Sequence, residues 1–291
     1  MTAVAEKALA PVRAARTFTV ATELRRQASR PRTRIALAGM ILLPLIILAA
    51  FEFGRASNGA DGENGAGAFA NLVTVATSGG LNFALFTLLV TSTFLLVVVF
   101  ALFFGDTVAS EASWGSLRYL LAIPVPRARL LGVKLIVSAI YSLLALVLLV
   151  GTALIAGTLR YGWHPLNSTV SDNVAPADGL RLVWTAAGYI AITLIVVAAI
   201  AFLLSVSTDA PLGAVGGAVM LQIVSSILNQ IDALGNIRNF LPSHYSAAWV
   251  GLLSTPTQWT AMIQGTISAL AYGVIFFGLA FWRFVRKDIV S

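Results

Sequence analysis

The sequence predicts an all-α integral membrane protein with six transmembrane helices, and three observations carry that expectation. The 291 residues are 58% hydrophobic and only 11% charged, with a mean hydropathy of +0.88. A globular domain in water carries about 25% charged residues. Several apolar runs reach the roughly 20 residues that a helix needs to cross a bilayer. Lys and Arg gather at the ends of those runs, which is how a membrane protein fixes its orientation.

The first 34 residues are basic and amphipathic. Residues 11–28 alternate Val12, Phe18, Val20 and Leu24 with Arg13, Arg16, Arg25 and Arg26. This pattern predicts a helix lying in the membrane interface, with arginines reaching toward anionic headgroups. Pro31 should end it. The first apolar run starts near Ile35 with no small-residue cleavage site behind it, so a signal peptide is not expected.

Six spans follow, at about Ile35–Phe53, Asn82–Phe104, Leu135–Gly157, Leu182–Ser205, Leu212–Gln230 and Met262–Phe281. Pro44 should kink the first. Residues 54–68 carry Gly, Asn and Asp, which is loop chemistry. Residues 69–81 suit a short outer helix. A charged connector spans 105–134, and an outer segment rich in Trp and Pro spans 231–261. The transmembrane domain thus covers 35–283, with a tail at 284–291.

Eight Lys and Arg precede the first span, four lie in the 105–134 connector and three close the chain. Only Arg55, Arg160, Arg181 and Arg238 fall on the other side. The positive-inside rule then puts both termini in the cytoplasm of a cell whose inner (plasma) membrane holds the chain. The net charge of +7 and pI near 10.2 reflect this topology rather than nucleic-acid binding. With no cysteine, disulfides and thiolate chemistry are excluded.

The most informative stretch is Ser110–Lys134, SEASWGSLRYLLAIPVPRARLLGVK. Leu117, Leu120 and Leu121 make an apolar face on a short helix that Pro124 and Pro126 end. Such a face needs lipid or a protein partner to cover it. The order of residues resembles the first cytoplasmic loop of ABC-2 class exporter membrane subunits. The matching positions are Glu111, Gly115, Ser116, Leu117, Leu120, Leu121, Pro124, Arg127 and Lys134. The basic N-terminus, six spans, short 207–211 turn and long outer segment with Leu241-Pro242-Ser243-His244-Tyr245 and Trp249 extend the likeness over nearly the whole chain. Asp106 and Glu111 stand further apart than the family's paired acids. The resemblance implies a coupling helix docked on a separate ATPase, two ATPase subunits per complex, a second permease copy or relative, and an outer re-entrant hairpin. ATP and Mg would be bound by that ATPase, because this chain has no G-x-x-x-x-G-K-[ST] loop. No hydrolase or zinc-protease motif is present either, so the chain itself is not expected to be an enzyme.

Polar residues inside the spans are the remaining candidates. Gln222, Ser225, Ser226 and Asn229 share a face of the fifth span, and Thr87 and Thr91 lie in the second. Such side chains should face protein or a water-filled cavity. In the resembled family these two spans line the pathway, so the two faces are expected to meet across a dimer and pass a small amphiphilic or hydrophobic substrate. Helix packing without substrate contact is the competing reading. Glu52 should reach outer water or pair with Arg55. His164 and His244 belong in outer loops. The rival functional classes are an ATPase-independent secondary transporter, which should show buried ion-coupling residues, and a membrane scaffold or sensor.

Overall fold

A computed structural model describes residues 19–58, 68–115, 126–167, 173–254 and 256–286. Among these, all regular structure is helical apart from one isolated bridge between Leu166 and Val174. Six helical segments are long and apolar enough to cross a membrane, in the order the hydropathy predicts. The protein is a multi-pass membrane protein. One end of the bundle carries most of the arginines and is called the basic end below.

A short helix α1 (Val20–Ala28) starts at Thr19, whose hydroxyl accepts from the Thr22 amide, and ends before Pro31. Pro31 opens α2 (Pro31–Asn58), a position where its missing N–H costs nothing. Helix α2 runs on through Pro44 as the first span. On the far side, α3 (Ala68–Ala76) occupies part of the predicted outer helix.

The second span differs from its expectation. It is two helices, α4 (Gly80–Ser92) and α5 (Leu95–Ser113), separated at Thr93 and Phe94. Neither Pro nor Gly marks the break. Instead Thr87 donates to Phe83 O, Thr91 to Thr87 O and Ser92 to Leu89 O, at 2.9, 2.7 and 3.3 Å. Hydroxyls bonded back to carbonyls of the preceding turn bend helices. Helix α5 also continues to Ser113, past the expected membrane edge at Phe104. Trp114 and Gly115 then turn the chain, with Gly115 at φ 66°, a left-handed conformation that glycine adopts without strain.

Helix α6 (Arg127–Tyr161) has 35 residues and is about 52 Å long at 1.5 Å per residue. It starts eight residues before the expected third span. The fourth span is α7 (Pro176–Thr193) followed directly by α8 (Ile195–Ser207), and a tight turn leads into α9 (Pro211–Asn229). The outer segment folds as two 3-10 stretches, Asp232–Phe240, which kinks at Gly235 (φ 50°), and Ala248–Leu253, before the last span α10 (Thr260–Arg286).

Helix α5 is the most enclosed span, packed on α6, α8 and α9. Phe104 on α5, Phe202 on α8 and Phe277 on α10 form a ring cluster with centroids 5.7–6.3 Å apart. Helices α2, α9 and α10 are peripheral and present most of their length to the surroundings. Helices α4 and α6 approach closely through glycine. A Cβ on Gly80 would stand 2.6 Å from the Thr158 amide nitrogen, and one on Gly157 would stand 3.1 Å from Gly80 Cα. Gly80→Val is therefore expected to destabilise the chain by about 1–3 kcal/mol through overpacking. Gly132→Ala, in open space within α6, should be neutral or stabilise by about 0.5–1 kcal/mol. Thermal unfolding in detergent measures both.

Candidate functional site

Helix α5 carries Asp106 and Glu111 at its basic end, the sole acids between Glu63 and Asp172. One helical turn apart, Asp106 and Ser110 form one stripe and Thr107 and Glu111 the next. Cations from several elements meet these stripes, and Arg30 reaches the acids of both.

Lys134 comes from α6 and is fully buried. Its Nζ donates to Glu111 Oε1 at 2.6 Å, to Glu23 Oε1 at 3.3 Å and to Thr107 O at 3.3 Å. Arg26 on α1 bonds the same two acids, with Glu23 at 2.7 Å. Arg30, between α1 and α2, donates to Asp106 Oδ2 at 3.4 Å and Ser110 Oγ at 3.2 Å. Its guanidinium also lies over the Trp114 ring at 5.5 Å. Arg32 on α2 pairs with Asp106 as well. Three carboxylates and four bases thus join α1, α2, α5 and α6.

Neutral contacts fix the same junction. Tyr141 OH donates to Leu24 O at 2.7 Å, and Thr107 and Ser138 hydroxyls share a 2.6 Å bond. Ser205 Oγ on α8 accepts from the Val108 and Ala109 amides, both at 3.0 Å. The side of α1 that docks here is mixed, with Glu23 and Gln27 buried and Val20 and Leu24 packed against the core beside them. Saturation is incomplete, because Glu23 Oε2 and Arg26 Nε are buried without a hydrogen bond.

The electrostatics follow from this geometry. Burial pushes the Glu23 carboxyl upward, but Lys134 and Arg26 outweigh it and hold it below the ordinary 4.5. Burial and the nearby Arg26 lower Arg30, with Asp106 acting against them. Among the described residues, no group of three or more His, Cys or acidic side chains could hold a metal ion.

The sequence left Glu111 two roles, a contact to a partner or a cap on its own helix. Here it is wholly buried near the C-terminal end of α5, between Lys134 and Arg26. It ties this chain to itself. Gly115 forms the turn after Trp114. Arg127 opens α6 and donates to Val285 O on α10 at 3.2 Å. Ser116, Leu117, Leu120, Leu121 and Pro124 lie outside the described residues.

The candidate pathway residues divide into three groups. Thr87 and Thr91 are buried and bonded to their own helix. Ser225 shares a 2.8 Å bond with Ser243, and Asn229 Oδ1 lies 2.7 Å from His244 Nδ1, so these two hold the outer segment. Burial and Arg238 lower the His244 imidazole. Gln222 and Ser226 line a cavity of about 70 Å³ with Ser92 and Thr93, so the polar faces of the second and fifth spans meet within one chain. Glu52 is bonded by Arg160 of the third span at 2.5 Å. Beyond the small cavity is a larger one of about 410 Å³, enclosed by Leu72, Leu85, Phe86 and Trp249, with Asn82 and Gln258 as polar lining.

Reasoning from the sequence missed the part that Glu23, Arg26, Arg30, Arg32 and Lys134 play here. The available signal was the isolation of Asp106 and Glu111 at the end of an apolar span, since acids at such depth require partners.

A family profile described as a protein of unknown function (DUF2705) matches residues 40–290. The chain belongs to the DUF2705 family. No curated protein matches it. The DUF2705 match takes in Asp106, Glu111 and Lys134, whereas Glu23, Arg26, Arg30 and Arg32 precede it.

Lys134→Met leaves two buried acids short of a partner and should cost about 3–5 kcal/mol. Adding Glu111→Gln should recover part of that loss, read as unfolding in a detergent series. Glu23 has a lowered pKa, so its stabilisation is present above about pH 4.5 and is lost as pH falls through the folded value. Docking of α1, followed by a fluorophore at Arg25→Cys, should weaken below that pH, and Glu23→Gln should flatten the dependence.

Proposed function

We propose that this chain is the membrane-spanning permease subunit of an ATP-driven exporter similar to the ABC-2 class. What carries the reading is the locking of the two helices that flank residues 114–126. Lys134 and Glu111 pin the start of α6 to the end of α5, and Glu23 and Arg26 add α1. A force on the intervening segment moves these three helices together instead of bending one.

In this reading the segment holds the coupling helix, and Leu117, Leu120 and Leu121 dock on a separate ATPase subunit. Two such subunits bind ATP and Mg and hydrolyse ATP. A second copy of the chain, or a relative, completes the permease. Both termini face the cytoplasm, and the outer segment with its two 3-10 stretches is the re-entrant hairpin. ATP favours the closed ATPase pair, and that difference in affinity drives the bundle between its two arrangements. The substrate is a small amphiphilic or hydrophobic molecule, in keeping with uncharged polar groups such as Gln222 and Ser226 between α4 and α9.

The test is co-purification. The chain tagged at its C-terminus and solubilised in mild detergent should bring down a P-loop ATPase. Leu120→Asp with Leu121→Asp should reduce that recovery at least about tenfold, as loss of buried anchor residues does at protein interfaces. Recovery of the intact chain alone, under conditions that preserve a known ABC complex, would overturn the reading in favour of ATPase-independent transport.

A further inference from the structure

Helices α2 and α5 do not close on each other at the basic end. They leave a groove of about 540 Å³ lined by Ile35, Gly39, Leu43 and Ile46 on one side and by Val98 and Leu102 on the other. On each helix these residues recur at three- and four-residue spacing, so one face of each helix forms the wall. Buried Met40 and Val99 also line it. Arg32 stands at its mouth and pairs with Asp106, one turn beyond Leu102.

Three features identify the occupant. The wall from Ile35 to Ile46 rises about 17 Å at 1.5 Å per residue. One leaflet of hydrocarbon is about 15 Å deep, half of a core of roughly 30 Å. The groove therefore matches one acyl chain running from the interface to the midplane, where Leu95, the first residue of α5 and part of the lining, lies just after the Thr93–Phe94 break. Second, the Arg32 side chain is 52% exposed, and a guanidinium has five N–H donors, so its ion pair with Asp106 leaves donors for a second anion. Third, a Cβ on Gly39 would meet nothing within 4 Å, so the groove is open at its middle.

We propose that this groove is a site for an anionic phospholipid, with its phosphate on Arg32 and one acyl chain between α2 and α5. The lipid would then contact the Arg32–Asp106 arm of the charge cluster directly. The proposal is independent of the exporter reading, because it needs neither an ATPase nor a transported substrate.

The experiment uses the full chain purified in detergent and exposed to phosphatidylglycerol and phosphatidylcholine with identical acyl chains, with retained lipid counted by native mass spectrometry. The chain should retain phosphatidylglycerol over phosphatidylcholine by about fivefold, the effect of one arginine on an anionic headgroup. Arg32→Gln should keep lipid but lose that preference. Gly39→Phe should lose the tightly held lipid with an unchanged unfolding midpoint, since its side chain enters open space. Val98→Trp blocks the groove from the α5 side and serves if Gly39→Phe does not fold. Inorganic phosphate should not displace the lipid. Equal retention of both lipids by the unaltered chain would overturn the proposal, as would undiminished phosphatidylglycerol in the filled groove. A change of oligomeric state on filling the groove, with lipid unchanged, would assign the face to a second copy and also overturn it.

Discussion

The ammonium of Lys134, enclosed between Glu111 and Glu23, is the contact on which the basic end depends. No water-facing route relieves its charge, because all three side chains are buried. The desolvation of such groups is offset only while every partner stays in place. Helix α1 is therefore not a peripheral ornament of the membrane surface. It supplies one of the two carboxylates that make Lys134 tolerable, and Lys134 in turn holds α1 through Glu23. The same arrangement fixes the register between α5 and α6, together with the Ser138 hydroxyl, which bonds Thr107 and Phe103 O.

Above this junction the bundle has a different character. The broken second span gives the chain two half-helices with separate neighbours. Helix α4 packs on α6 through Gly80 and Gly157, whereas α5 packs chiefly on α8 and α9. The outer segment is fastened by neutral hydrogen bonds from Ser225, Asn229 and Tyr189, the last donating to Tyr245 O at 2.8 Å. A buried ion network holds the basic end, whereas the outer end combines these neutral bonds with separate ion pairs of Glu52 with Arg160 and Asp232 with Arg238. The uncharged bonds individually contribute about 1 kcal/mol.

The spans were legible because lipid imposes one rule on every helix, about 20 apolar residues in a row. The 207–211 turn was legible because proline acts locally, whereas α2 and α7 start at Pro31 and Pro176, ahead of the spans expected from Ile35 and Leu182. The Thr93–Phe94 break was not, since it arises from hydroxyls that in most helices do no more than accept a slight bend. Lys134 closes the expected connector just before the span from Leu135, yet α6 begins at Arg127 and carries it into the buried bundle. Its pairing with Glu23 joins positions 111 residues apart, and no periodicity encodes such a pair. On the fifth span the polar face was visible in the spacing. That Ser225 and Asn229 would spend it on residues 243 and 244 was not, because the return path of the outer segment is a tertiary fact.

The reach of α1 and Arg30 into this junction bears on where the functional unit begins. Similarity to the family starts at residue 40, within the first span. A boundary drawn there passes through the ion network rather than beside it. It keeps Asp106, Glu111 and Lys134 and discards Glu23 and every arginine that faces them. Three carboxylates and four bases become two carboxylates and one ammonium, two of the three buried almost completely. The matched region is thus electrostatically unfinished by itself, and the residues that complete it in this chain precede residue 40.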